Sequence, residues 1–283
     1  MLTSVCQADS EVGAAVLKEG NLIHEWLDTI EFDTEPIVVA TLDALSAASS
    51  DKSIRKIIAS DCVEWLNRLL INNNMRYKIR AAIILTKSLA INPESRDQLV
   101  DGTTDTSEII LQVLADKTHS IDVRQSAAEG LAYLSVYAPM KEKVINNPKI
   151  LETLFELSKI DDKALQYAIS STLSNLSIYL PKLSEEQQQL MKLKEMAKEY
   201  VPKSHPLDAD ETVQARVAKL VAAGAASAIV FLSKTTSANI RESLSSTLLS
   251  MATDTKNRVH PFPSPKKSLK VTHFAFVPPP YRV

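Results

Sequence analysis

The stretch Leu165-Gln-Tyr-Ala-Ile-Ser-Ser-Thr-Leu-Ser-Asn-Leu176 sets Leu165, Ala168, Ile169, Thr172, Leu173 and Leu176 at offsets of three, four, seven, eight and eleven. Those offsets fall on one face of an α-helix. The same offsets give Ile240, Ser243, Leu244, Thr247, Leu248 and Met251, and also Val123, Ser126, Ala127, Gly130, Leu131 and Leu134. A looser copy runs from Lys78 through Ala81, Ala82 and Leu89. The most degenerate runs from Ile37 through Ala40, Thr41, Ala44, Leu45 and Ala48. A small residue recurs at the fourth position, where it lets a neighbouring helix come close. The copies are spaced by about 41, 45, 42 and then 75 residues, and periods near 40–47 belong to HEAT and armadillo arrays. The last gap is one period plus an insertion of about 33 residues.

Working outward, each copy is the third helix of a three-helix unit. Lys52–Ile58, Cys62–Leu70 and Arg76–Ala90 make one unit; Glu94–Val100, Ser107–Ala115 and Ile121–Val136 make the next. Pro93 and Pro139 mark breaks after third helices, and Pro148 suits the start of a second helix. The expected architecture is all-α: an armadillo/HEAT-like, right-handed superhelical solenoid with a helical insertion and a disordered C-terminal tail. Its parts are central repeats at residues 1–180, the insertion and linker at 181–212, a further unit at 213–256, and the tail at 257–283. Leu131 and Leu173, at one repeat position, are expected to be fully buried.

The insertion starts well as a helix at Ser184 and Glu185. Its stripe of Leu190, Leu193, Ala197 and Tyr200 covers less than two heptads, so it is expected to pack on the solenoid. Gly224 supplies a turn between two helices of the resumed array. After Asn257 six prolines fall between Pro261 and Pro280, with six basic residues and no acidic one from Lys256 onward. Pro278, Pro279 and Tyr281 match the Pro-Pro-x-Tyr ligand of WW domains; a proline-rich tail of no function is the plainer reading.

Composition narrows the function. Lys and Arg number 32 against 34 Asp and Glu, which gives the whole chain no pull toward nucleic acid or membrane. No apolar run is long enough for a membrane span. Met1–Ala15 lacks the pattern of a secretory signal. Cys6 and Cys62, the only cysteines, fall in different units, which suits core thiols of a reduced, cytoplasmic protein. His24, His119, His205, His260 and His273 are scattered without metal-ligand spacing. No Gly-x-Ser-x-Gly or phosphate loop occurs. An enzyme is therefore the least favoured class, and neither cofactor nor metal is expected. His205, between Ser204 and Pro206, suits a turn better than chemistry.

Three segments are more specific: Lys219-Leu-Val-Ala-Ala-Gly-Ala-Ala-Ser-Ala-Ile-Val-Phe-Leu-Ser-Lys234, Ala197-Lys-Glu-Tyr-Val-Pro-Lys-Ser-His-Pro206, and Ala128-Glu-Gly-Leu-Ala-Tyr-Leu-Ser135. Together they resemble the UCS-domain myosin chaperones, known from the nematode "uncoordinated" muscle protein. The resemblance is strong from about Ser120 to Ser237 and weaker back to Val12. It implies a non-enzymatic chaperone or co-chaperone of muscle development that binds the myosin motor domain in an armadillo groove. It adds the ninety-kilodalton heat-shock chaperone as a partner through an N-terminal tetratricopeptide domain. The 34-residue pattern of that domain is absent before Val12, and the proline-rich tail stands where the family continues with further units. The chain reads as a truncated member: the central region plus the start of the UCS domain. Leu190, Leu193, Tyr200 and His205 of the insertion are its candidate client contacts. The rival is a generic armadillo scaffold for protein–protein interaction. Its nuclear-transport version is disfavoured, because Asn175 alone sits near the expected third-helix place and Trp26 and Trp65 fall in second helices.

Overall fold

The structure is a computed structural model and describes residues 2–89, 105–180, 184–197 and 205–253. Among these residues there are helices and no strands. Helix α1 spans Leu2–Ala8. A first unit holds α2 (Ser10–Glu19), α3 (Leu22–Thr29) and α4 (Glu35–Ala48); a second holds α5 (Lys52–Ile57), α6 (Val63–Leu70) and α7 (Met75–Leu89). The third contributes α8 (Asp105–Ala115) and α9 (Ile121–Leu134), and the fourth α10 (Ala138–Ile145), α11 (Pro148–Leu157) and α12 (Lys163–Ser177). Helix α13 (Glu185–Met196) follows, then a fifth unit of α14 (Asp210–Ala222), α15 (Ala225–Leu232) and α16 (Ala238–Thr253). The leading helix expected at Glu94–Val100 lies outside the described residues.

Local chemistry starts these helices where the pattern placed them. Asp162 Oδ1 accepts the Leu165 N–H at 2.9 Å to open α12, and Asn74 Oδ1 accepts that of Arg76 at 2.9 Å to open α7. Asn147 caps α11, with Pro148 in the first turn where its missing N–H costs nothing. Gly224 takes φ of 91° between α14 and α15, a left-handed conformation that a side chain would strain. The break expected between Ile58 and Cys62 is a π-helical turn, because both residues are fully buried and hold the chain in the core.

Packing follows the repeat. Third helices lie side by side in the order α4, α7, α9, α12, α16; second helices α8, α11 and α15 form a parallel layer, and α10 packs on α14. Helix α1 packs on α4 in the place a preceding third helix would take. The expectation for Leu131 and Leu173 holds: both are fully buried. Each such leucine contributes about 1.5–3 kcal/mol of burial. The small fourth position is explained as well. A Cβ on Gly130 would come within 2.8 Å of Ile110 and 3.0 Å of Ile83, so bare backbone is needed where α7, α8 and α9 converge. Thr172 and Thr247 are buried there too, their hydroxyls returned to the carbonyls of Ala168 and Ser243 at 2.9 Å.

Two expectations fail. In α4 the expected face holds at its C-terminal half, where Ala44, Leu45 and Ala48 are buried, and fails at its start, where Ile37 is half exposed and Ala40 open while Val38 and Leu42 take the core. The run Ile37-Val-Val-Ala40 is apolar at every position and carries no phase. The second failure is α13, which makes no substantial packing contact with another described helix. Leu190 is 53% and Leu193 61% exposed. Here α12 and α16 meet directly, so the stack closes across the insertion and leaves no slot for its apolar stripe.

Candidate binding surface

The row of third helices is a nearly continuous face, and its polar chemistry runs between units. Arg80 on α7 reaches back to α4, donating from Nε to Asp43 Oδ1 at 2.7 Å and from Nη2 to Oδ2 at 3.4 Å. Lys87 Nζ donates to the Ser46 carbonyl and hydroxyl at 3.0 Å on one side, and to Glu129 Oε1 of α9 at 2.6 Å on the other. The ammonium also lies 5.1 Å from the ring centroid of Tyr133. Only 3% of the Lys87 side chain is exposed, so these contacts replace its lost water. Arg76 pairs with Asp122 at 3.1 Å and Glu35 at 3.6 Å. Burial pushes the Asp122 carboxyl up, but the Ser120 hydroxyl and the Arg76 and Arg80 charges outweigh it and hold it below the usual range. One junction further, Asn175 Nδ2 donates to the Ala132 carbonyl at 3.3 Å and to Ser135 Oγ at 3.0 Å. Asn175 is thus spent on holding α12 to α9. Two rings stay accessible on this face, Tyr133 at 40% and Tyr167 at 50%.

The insertion carries the other candidate residues. Leu190 and Leu193 are neighbours on one face of α13. Met196, which the sequence reading passed over, extends that face at 82% exposure. The helix opens on a capping box: Ser184 Oγ accepts the Gln187 N–H at 3.2 Å, and Gln187 Oε1 accepts the Ser184 N–H at 3.0 Å. His205 is not with the leucines. It opens a short 3₁₀ turn at Pro206–Asp208, its Nδ1 accepting the Leu207 N–H at 3.1 Å, which is the turn role its neighbours implied. Tyr200 and the motif of Pro278, Pro279 and Tyr281 lie outside the described residues.

Sequence reasoning missed how the insertion is rooted. Arg216 of α14 is 1% exposed. Its Nη1 donates to the Leu207 carbonyl at 2.7 Å and Glu142 Oε1 at 3.1 Å, its Nη2 to Asp208 Oδ1 at 2.9 Å, and its Nε to the Leu176 carbonyl at 3.2 Å. Lys141 Nζ adds a second bond to Asp208 Oδ1 at 2.9 Å. The knot ties the turn after the insertion to α10, α12 and α14. A signal existed: Arg216 stands among Val213, Val217 and Leu220 on the apolar face of its helix, where an unpaired charge could not be buried.

Neither cysteine is placed for chemistry. Burial pushes the Cys62 thiol up to about 12, with the Asp61 charge adding to the shift, and burial raises that of Cys6.

Comparison with known proteins agrees with this geometry. Residues 1–118 match the family model described as "Myosin-binding striated muscle assembly central". "Protein unc-45 homolog B" of Homo sapiens is 28% identical over 267 residues, which is 91% of this chain and 29% of that protein; its Xenopus tropicalis counterpart is 27% identical over 265 residues, 91% of this chain and 28% of that protein. The chain thus spans under a third of the length of these relatives. Among solved structures, UNC-45 from Drosophila melanogaster superposes with a TM-score of 0.70 at 26% identity, covering 88% of this chain and 32% of that one. The myosin chaperone UNC-45 from C. elegans in complex with a Hsp70 peptide gives 0.71 at 25% identity, covering 91% and 26%.

Proposed function

We propose that this chain, a relative of the UCS-domain myosin chaperones with their armadillo-like fold, is a non-enzymatic client-holding element directed at the myosin motor domain. The observation that carries the reading is an apolar helix face, Leu190–Leu193–Met196, on a helix that makes no substantial packing contact with another described helix. Flexible Leu and Met side chains on an open helix suit segments of variable shape. The row of third helices, with Tyr133 and Tyr167 accessible, is the second part of the surface. Holding is passive: the solenoid is stiffened by bridges between units, and a partly folded client covers the open residues. The myosin client follows from the matched myosin-binding family and from the likeness to the C. elegans myosin chaperone UNC-45. The heat-shock chaperone enters as a further partner, since that protein is solved with Hsp90 and Hsp70 peptides. The site of action is the cytoplasm.

The test is light scattering during heating. The chain should suppress aggregation of a myosin motor fragment more than that of an unrelated protein. Leu190→Ser with Leu193→Ser should weaken this protection while leaving the chain's own melt unchanged, because neither leucine is packed. Equal protection of both substrates, or none, would replace this reading with the generic scaffold.

A further inference from the structure

Helix α12 shows what a stacking flank looks like when it is covered. Gln166, Ser170, Leu173 and Ser177 recur at helical spacing on the side opposite Asn175, the residue that bonds to α9. Helix α16 packs on that side, and all four are buried. One repeat later the same positions of α16 are Arg241, Ser245, Leu248 and Ala252, and all four are exposed. Leu248 is 39% exposed where Leu173 is fully buried. In α15, Val230 is 52% exposed where its counterpart Phe155 is half-buried. The fifth unit therefore carries a flank with the shape of a stacking surface, and no described helix packs on it.

The path of the chain points to what lies there. Between units one and two it passes from Ala48 to Lys52, and between three and four from Leu134 to Ala138. A segment leaving a third helix thus goes at once to the following side of the array. Residues 254–283 leave α16 at the same end. Among them Val271-Thr-His-Phe-Ala-Phe-Val277 holds Val271, Phe274, Phe276 and Val277, and no Lys, Arg, Asp or Glu. That matters because the flank itself is cationic: Arg241 is part of it, and Lys234 lies 4.5 Å from the Phe231 ring on α15, with Glu242 on the neighbouring face. An uncharged run suits such a flank better than the basic residues on either side of it. Prolines at 261, 263, 265 and 278–280 oppose a helix running through either end of the segment. Lengths also match: seven extended residues span about 23 Å, and the sixteen residues of α16 rise about 24 Å.

We infer that residues 271–277 lie extended along the α16 flank, with their apolar side chains over Leu248 and Ala252, where a further third helix would stack. Tethering holds the run at a roughly millimolar effective concentration beside the flank, ahead of any free partner. The contact needs nothing from the proposed function.

Hydrogen exchange of the full chain tests it. Phe274→Ser with Phe276→Ser should make the amides of Ser245–Ala252 exchange several-fold faster than in the natural chain, and leave those of Leu165–Leu176 unchanged. In both proteins α16 stays faster than α12, because one strand covers less than a helix. Placement is read with cysteine pairs. Ser245→Cys with Ala275→Cys should close a disulfide within one chain under mild oxidation. Glu242→Cys with Ala275→Cys, one face over, should close far more slowly. Cys6 and Cys62 are buried and do not compete. Exchange indifferent to the two serines, or equal closure at both cysteine positions, would overturn the inference. Protection that grows with protein concentration, or disulfides formed mainly between chains, would overturn it in favour of a second copy on the flank.

Discussion

Arg216 shows most sharply what one side chain can decide. Its guanidinium is almost without water and is satisfied by two carboxylates and two carbonyls from three separate elements. Removing one partner of a buried pair is worse than never having built it, because the other charges stay behind. Arg216→Ala should therefore cost about 3–5 kcal/mol in a urea melt. Arg216→Lys should recover only part, since a single ammonium cannot span the fork. Asp51, the N-cap of α5, carries a milder dependence on pH. Its carboxyl accepts from the Ser53 hydroxyl and from the N–H groups of Ser53 and Ile54, and these bonds hold its pKa below the ordinary 3.8, the Ser53 hydroxyl contributing most. The sign follows: the folded state binds that proton less readily than the unfolded chain. The contribution is complete above the ordinary carboxylate range and is lost as pH falls through the depressed value. In urea melts at several pH values, Asp51→Asn should be less stable than the natural chain at neutral pH, and the gap should close as the medium becomes acidic.

Elements were legible in the sequence to different degrees, and the reason lies in what each buries. Helices α9, α12 and α16 alternate apolar and polar residues sharply, so spacing alone gave their faces. Only the start of the α4 face was misread, because Ile37, Val38, Val39 and Ala40 are all apolar and the fold alone chooses Val38 for the core, whereas Ala44, Leu45 and Ala48 are buried as the spacing indicated. The α13 stripe has real helical spacing, but whether a stripe meets a neighbour depends on residues far away, here on α12 and α16 finding each other first. The Lys87–Glu129 contact and the Arg216 bonds to Leu176 and Glu142 join residues 42, 40 and 74 positions apart, beyond any local pattern. Flanking contacts should also grade the dynamics. Among the described residues α12 is packed by α9 and α16 on its two sides and by α14 and α15, whereas α16 is packed by α12, α14 and α15. In hydrogen exchange the amides of Ile240–Ala252 should therefore be lost well before those of Leu165–Leu176. Equal protection would show that the free side of α16 is covered.

At the scale of the molecule, the third helices touch only their neighbours, so stability is close to a sum over adjacent units. The bridges at Arg80, Lys87 and Asn175 sit at those junctions, which makes the row stiffer than apolar contact alone would. One junction differs in kind. Between α12 and α16 the polypeptide departs for about thirty residues and returns, yet the two helices pack as closely as any pair joined more directly. Connectivity and contact are separate there: the fourth and fifth units are held by surface and by the Arg216 knot, and α13 packs substantially on neither. A single proteolytic cut within 184–197 should consequently leave two pieces that co-elute and whose melt rises with concentration toward that of the intact chain. The two pieces expressed apart should assemble on mixing. In genetic terms this is a place where the coding sequence could be interrupted, lengthened or split between two reading frames without the folded body registering the change.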